Sequence, residues 1–133
     1  MDNAYKISVT TLENSLSSLK AAFDEYLKTE NEYVRDSVIQ RFEYTYALSI
    51  KFIQRYIELN IPDQEEISTY TFNQLIRQAN EMGILQGNLE KWVIYRQRRN
   101  ITSHTYDIEK AKQVLSIIED FIQEVKFLIG KIK

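Results

Sequence analysis

No cysteine occurs in this chain of 133 residues, which excludes disulfides and thiolate chemistry. Histidine is nearly absent too: His104 is the single one. With no thiolate beside it, a lone imidazole leaves too few ligands for a zinc-type centre, so neither a metal nor another cofactor is expected. One proline and three glycines are too few for a fold built from many turns, and favour long helices. A net charge of −2 gives no global attraction to nucleic acid or to a membrane. No apolar run approaches the roughly 20 residues of a membrane span. The start of the chain, Met1-Asp2-Asn3-Ala4-Tyr5-Lys6, lacks the basic and apolar regions of a secretory leader. A cytoplasmic location is therefore the expectation.

What is present fits one globular unit. Apolar residues make up 44% and charged residues 27%, and a chain of this size forms a single domain, here residues 1–133, that hides ~65–70% of its unfolded surface. Nine tyrosines and six phenylalanines are many for this length, and some are suited to an interface, where aromatic anchors are enriched.

Hydrophobic spacing predicts five helices. The first covers about Thr11 to Leu27 behind Thr10, with Glu13 at capping-box distance and Leu12, Leu16, Leu19 and Phe23 on one face. The second covers about Glu32 to Leu59 with Asn31 as N-cap, and Asn60-Ile61-Pro62-Asp63 ends it. The third, about Thr71 to Met82, uses Phe72, Leu75, Ile76 and Ala79, with Gly83 as the left-handed residue after it. The fourth runs from Leu89 to Asn100 behind Asn88, with Leu89, Trp92, Val93 and Arg96 on one face. The fifth, from about Ile108 to Ile129 behind Asp107, keeps helical spacing throughout and is the strongest pattern in the chain. Long amphipathic helices with short connections make an all-α, antiparallel up-and-down bundle.

Chemistry concentrates in Arg98-Arg99-Asn100-Ile101-Thr102-Ser103-His104-Thr105-Tyr106. Its imidazole is the one side chain whose ordinary pKa lies near neutral pH. On a continuous helix Arg99 and His104 would point ~140° apart. The weak helix formers Ile101-Thr102-Ser103 predict a break that lets them approach. A histidine with a purely structural role remains the alternative on composition alone. Arg96, Arg98 and Arg99, with Lys91 upstream, form a basic cluster. It reads either as a solvated face paired with Glu81, Glu90 or Asp107, or as a phosphate site built from guanidinium groups. In Arg41-Phe42-Glu43, Phe42 is a core residue, and Arg41 and Glu43 are two positions apart and must find partners on other helices.

Arg99-Asn100-Ile101-Thr102-Ser103-His104-Thr105-Tyr106 resembles the Arg-x4-His-x-Tyr signature of HEPN domains. Ile39-Gln40-Arg41-Phe42-Glu43-Tyr44-Thr45-Tyr46 resembles the second-helix signature of one branch, the nucleotidyltransferase substrate-binding protein family. Phe72-Asn73-Gln74-Leu75-Ile76-Arg77-Gln78-Ala79 with Gly83-Ile84-Leu85 resembles its third helix and turn. The likeness extends from about Leu12 to Ile129. Ala47, Ser49 and Ile50 depart from it, standing where a more acidic and aromatic segment belongs.

The resemblance implies an up-and-down bundle in a two-fold homodimer, partnered by a separately encoded minimal nucleotidyltransferase in a toxin–antitoxin-type pair. It implies a metal-independent ribonuclease site at the dimer cleft, with Arg99 and His104 catalytic and Asn100 supporting. It also implies that the partner can transfer AMP to Tyr106. A different class of function stays open: a non-catalytic subunit that binds a nucleotide or other substrate through Arg96, Arg99 and His104 and presents it to the nucleotidyltransferase.

Overall fold

In the computed structural model, which describes residues 8–61 and 67–133, every regular element among the described residues is helical. The α-helices are α1 (Thr10–Thr29), α2 (Glu32–Asn60), α3 (Phe72–Glu81), α4 (Leu89–Asn100), α5 (Ile108–Leu115) and α6 (Ile118–Ile132), with short 3₁₀ turns at Ile67–Thr69 and Thr102–His104. The five expected arms are present, the fifth divided into α5 and α6. Pro62 and Asp63, the expected terminators of the second helix, lie outside the described residues.

Most helix ends follow local chemistry. The Asn31 carboxamide oxygen accepts from the N–H groups of Tyr33 (2.7 Å) and Val34 (3.2 Å). The side-chain oxygens of Asn88 and Asp107 accept from Lys91 (3.1 Å) and Glu109 (2.9 Å). Each satisfies a donor that the first turn leaves free. Thr71 caps α3 from just outside it in a reciprocal box with Gln74. Gly83, at φ 76°, takes the left-handed conformation after α3 that glycine adopts without a Cβ penalty.

Two expectations are corrected. The Thr10–Glu13 capping box does not form: Thr10 is already helical, and Val9 occupies the N-cap without a side-chain bond. Val9 is buried, so apolar packing sets the entry of α1. The fifth helix is not continuous. It breaks at Ser116–Ile117, where the Ile117 N–H reaches only to Val114 (3.3 Å) and the Ser116 hydroxyl bonds the Gln113 carbonyl at 2.7 Å. A serine that competes for a backbone carbonyl in this way loosens the helical ladder.

α1 and α2 form a tight antiparallel pair, because only Glu30 and Asn31 separate them. Their seam is polar: the Ser15 and Thr45 hydroxyls bond each other, Ser49 donates to the Thr45 carbonyl at 2.8 Å, and the Arg41 Nε donates to Ser18 at 2.7 Å. Among the described residues Arg41 therefore bonds the Ser18 and Ser37 hydroxyls and the Ser37 carbonyl, and no carboxylate.

α4 is fastened to α2 and α6 by aromatic packing. Phe121 meets Phe42 and Tyr95 edge-on at 4.9 and 5.2 Å, and Trp92 meets Tyr95 at 5.2 Å. Such pairs add ~0.5–1.5 kcal/mol beyond their buried area. The inward face of α4 is thus Trp92 and Tyr95, and Val93 is exposed, a correction to the expected stripe. Polar tethers complete the attachment. The Tyr95 hydroxyl and Lys91 Nζ donate to the Asp120 carboxylate at 2.5 and 2.9 Å. Buried Glu124 accepts from Gln86 N (3.0 Å), Gly87 N (2.8 Å) and Trp92 Nε1 (3.1 Å). No helix among the described residues is long and apolar enough to cross a membrane.

Candidate active site at the end of α4

The predicted break is present. α4 ends at Asn100, Ile101 leaves helical geometry at φ −99° and ψ 4°, and Thr102–His104 form a 3₁₀ turn before α5. The turn closes through His104 N to Ile101 O (3.0 Å) and Asp107 N to His104 O (3.1 Å). Its anchor is Thr102, which is buried and whose hydroxyl bonds the Arg99 carbonyl at 2.8 Å.

Arg99 is held from two sides. Its Nη1 lies 3.2 Å from the Glu43 carboxylate on α2 and 3.3 Å from the Thr102 hydroxyl, which in turn lies 3.2 Å from the same carboxylate oxygen. A carboxylate, a hydroxyl and a guanidinium thus close a three-membered network. The Nε and Nη2 groups of Arg99 make no hydrogen bond to the described residues, and a guanidinium has five N–H donors. The unspent donors are free for a planar anion.

His104 is exposed on the turn, and its imidazole makes no hydrogen bond to the described residues. Its nearest ring neighbour is Tyr106, edge-on at 6.3 Å. Tyr106 is 85% exposed. Within one chain Arg99 and His104 share no hydrogen bond, although the break brings both to one short segment. Asn100 is exposed and lines a groove with Arg96 and Arg99.

The basic cluster does not form the expected pairs with Glu81, Glu90 or Asp107. Arg96 lies over the Phe72 ring at 4.7 Å, Arg98 donates to the Gln113 carbonyl at 3.1 Å, and Arg99 takes Glu43. Beneath the groove lies Tyr46, its ring packed among Phe42, Trp92 and Phe121. Burial pushes the Tyr46 phenol up to about 12, against the lowering pull of Arg96 and Arg99, so it stays protonated at neutral pH. Sequence reasoning missed Glu43 and Thr102 as the holders of Arg99 and missed Tyr46 altogether. The one signal was the charged pair in Arg41-Phe42-Glu43, whose partners had to lie on other helices.

Known proteins share this arrangement of helices. The chain superposes with a TM-score of 0.83, at 34% identity, on HI0074 from Haemophilus influenzae, described as the fold of a substrate binding domain of a nucleotidyltransferase; the match covers 94% of this chain and 98% of that one. A second crystal structure, ttk003001694 from Thermus thermophilus, matches with a TM-score of 0.73 at 26% identity, over 92% and 98% of the two chains. A Haemophilus influenzae protein described as a probable ribonuclease HepT is 42% identical over 95 residues, which are 71% of this chain and 64% of that protein's length. Residues 7–133 match the family described as nucleotidyltransferase substrate binding protein like, and the chain belongs to that family.

Proposed function

We propose that this protein is a ribonuclease whose active site is completed by a second copy of the chain, and that a partner nucleotidyltransferase controls it through Tyr106. The observation that carries the reading is the end of α4. There a guanidinium is fixed by Glu43 and Thr102 with donors to spare, one 3₁₀ turn away from an exposed imidazole that bonds none of the described residues. The 42% identity to a probable ribonuclease supports the same class of reaction.

In this reading His104 takes the proton of a ribose 2′-hydroxyl, and the 2′-oxygen attacks the adjacent phosphorus. Arg99 stabilises the charge that builds on the phosphoryl oxygens, and Asn100 supports the bound phosphate. The bond from phosphorus to the 5′-oxygen breaks, leaving a 2′,3′-cyclic phosphate, and the 5′-oxygen receives a proton. One imidazole cannot stand on both sides of one phosphate. A two-fold axis presents the same patch twice, so His104 of the partner subunit serves as the acid. General acid–base help of this kind is typically worth ~10²–10⁴-fold, and neither role requires a metal.

Tyr106 projects into solvent two positions beyond His104. AMP attached to its phenol would place bulk and negative charge beside the phosphate entrance. The paired nucleotidyltransferase and this chain then behave as antitoxin and toxin.

The deciding experiment incubates RNA with wild-type protein and with His104→Ala in the presence of a chelator. Cleavage by the wild type that falls by about 100-fold or more in the variant is expected. Equal cleavage by both ends the proposal.

A further inference from the structure

The groove between α2, the start of α3 and the last turns of α4 has features that neither the break nor the Arg–His pair explains. It is an open groove of roughly 480 Å³, a volume within the range of small-ligand sites. Its walls are Ala47, Ile50, Phe72, Arg96, Arg99 and Asn100, and Tyr46 opens into it from below. Tyr46 is only 8% exposed, yet its hydroxyl makes no hydrogen bond to the described residues. The ring is locked in the aromatic core, and the hydroxyl is not sealed from solvent but opens onto the groove as an available donor. Two guanidinium groups, those of Arg96 and Arg99, line the same groove.

We infer that this groove is a nucleotide subsite, in which the Tyr46 hydroxyl donates to a phosphate oxygen held by Arg96 and Arg99 while the base rests on Phe72 and Ile50. The charge fits: the groove presents two cations and a neutral donor, with Glu43 engaging only one nitrogen of Arg99. Arg96 already lies over Phe72 at 4.7 Å, so the cation and the ring form one platform of the type on which unpaired bases stack. The departure at Ala47 and Ile50 gains a reason here, since a small residue and an aliphatic one leave room for a base. Because Arg99 belongs both to this groove and to the proposed scissile-phosphate site, the bound unit is the nucleotide next to the cleaved bond. That assignment rests on the ribonuclease reading; the subsite itself does not.

The test uses the full chain and a 2′-O-methylated adenosine dinucleotide, which binds without being cleaved. Titration of the wild type, Tyr46→Phe and Phe72→Ala is followed by calorimetry, with thermal unfolding measured in parallel. Loss of affinity on the order of tenfold is expected in each variant, with Tyr46→Phe leaving the unfolding temperature unchanged because its hydroxyl bonds none of the described residues. Unchanged affinity in both variants, no binding by the wild type, or a Tyr46→Phe variant that melts markedly earlier overturns the inference. So does inorganic phosphate displacing the dinucleotide at equal concentration, which would reduce the groove to a bare anion site. Binding that depends on Tyr46 and Phe72 in a protein that cleaves no RNA leaves the subsite standing and removes the ribonuclease reading. Cleavage that depends on His104 with no effect of the groove variants does the reverse.

Discussion

Glu43 and Arg99 meet across the bundle, with a carboxylate oxygen on α2 3.2 Å from Nη1 on the last turn of α4. Each side chain is more than a third exposed, at 40% and 37%, and pairs in that setting contribute ~0–1 kcal/mol to stability. The pair therefore acts mainly by orientation. It fixes the plane of the guanidinium and leaves its remaining donors toward the groove.

Glu43→Ala is expected to lower RNA cleavage by about 10-fold or more, since a small misplacement of a charge-stabilising group is costly. Its unfolding free energy should change by under about 1 kcal/mol. Glu43→Gln keeps an acceptor for Arg99 and Thr102 and should recover part of the activity. Steady-state cleavage with parallel urea titrations checks both; a variant that loses activity only in proportion to folded protein refutes the positioning role.

Glu124 behaves in the opposite way. It is 4% exposed and accepts three N–H bonds, from Gln86, Gly87 and Trp92. Glu124→Ala leaves those donors unpaired in the interior and should destabilise the fold by about 3–5 kcal/mol. Gly87→Ala should also destabilise, by about 1–3 kcal/mol, because a Cβ there would stand 2.9 Å from the Lys91 Cγ and 3.1 Å from the Glu124 Oε1. Chemical denaturation measures both.

The pH response should be steepest at the alkaline end. Burial raises the phenol of Tyr46 to about 12. Burial, followed by the hydrogen bond and charge of Asp120 and the charge of Glu124, raises that of Tyr95 further. Between pH ~10, where free tyrosine ionises, and those higher values the unfolded chain binds fewer protons than the folded one. Stability then falls as pH rises, and is fully retained below pH ~10. Asp120 has the reverse sign. Desolvation opposes its ionisation, but the bonds from Tyr95 and Lys91 and the charge of Lys91 outweigh it and lower its pKa. Its contribution is present above the ordinary carboxylate range and lost as pH falls through the lowered value. Denaturation midpoints from about pH 8 to about pH 12 should decline less in Tyr46→Phe than in the wild type.

Tyr106→Phe should abolish AMP incorporation by the nucleotidyltransferase and leave unmodified RNA cleavage within about twofold, since the phenol is 85% exposed and makes no hydrogen bond to the described residues. Intact-mass spectrometry after incubation with the partner and ATP reads this directly. Undiminished AMP on the variant would place the acceptor elsewhere.

Much of the fold was legible because its signals are short-range. Asn31, Asn88 and Asp107 each cap a helix through an N–H two or three residues away, and the break after Asn100 follows from three adjacent weak helix formers. The Thr10 cap failed because burial of Val9 outweighed a local hydrogen bond. The fifth helix broke because apolar periodicity carries no record of a serine turning to its own backbone.

The candidate site divides in the same way. Arg99, Asn100, His104 and Tyr106 lie close along the chain, so local spacing singled out the segment, and the resemblance to HEPN domains gave each of them its expected role. What each of them faces depended on contacts between helices far apart in sequence. The Glu43 carboxylate, the Thr102 anchor and the Tyr46 hydroxyl under Arg96 and Arg99 exist only once α2 and α4 pack around the Phe42–Trp92–Phe121 core. Residue types and local spacing determined where helices start, where one breaks and which groups are available. Tertiary packing decided which of those groups stand opposite one another, because an interaction across the bundle is set by the docking of whole helices and leaves no periodic trace in the chain.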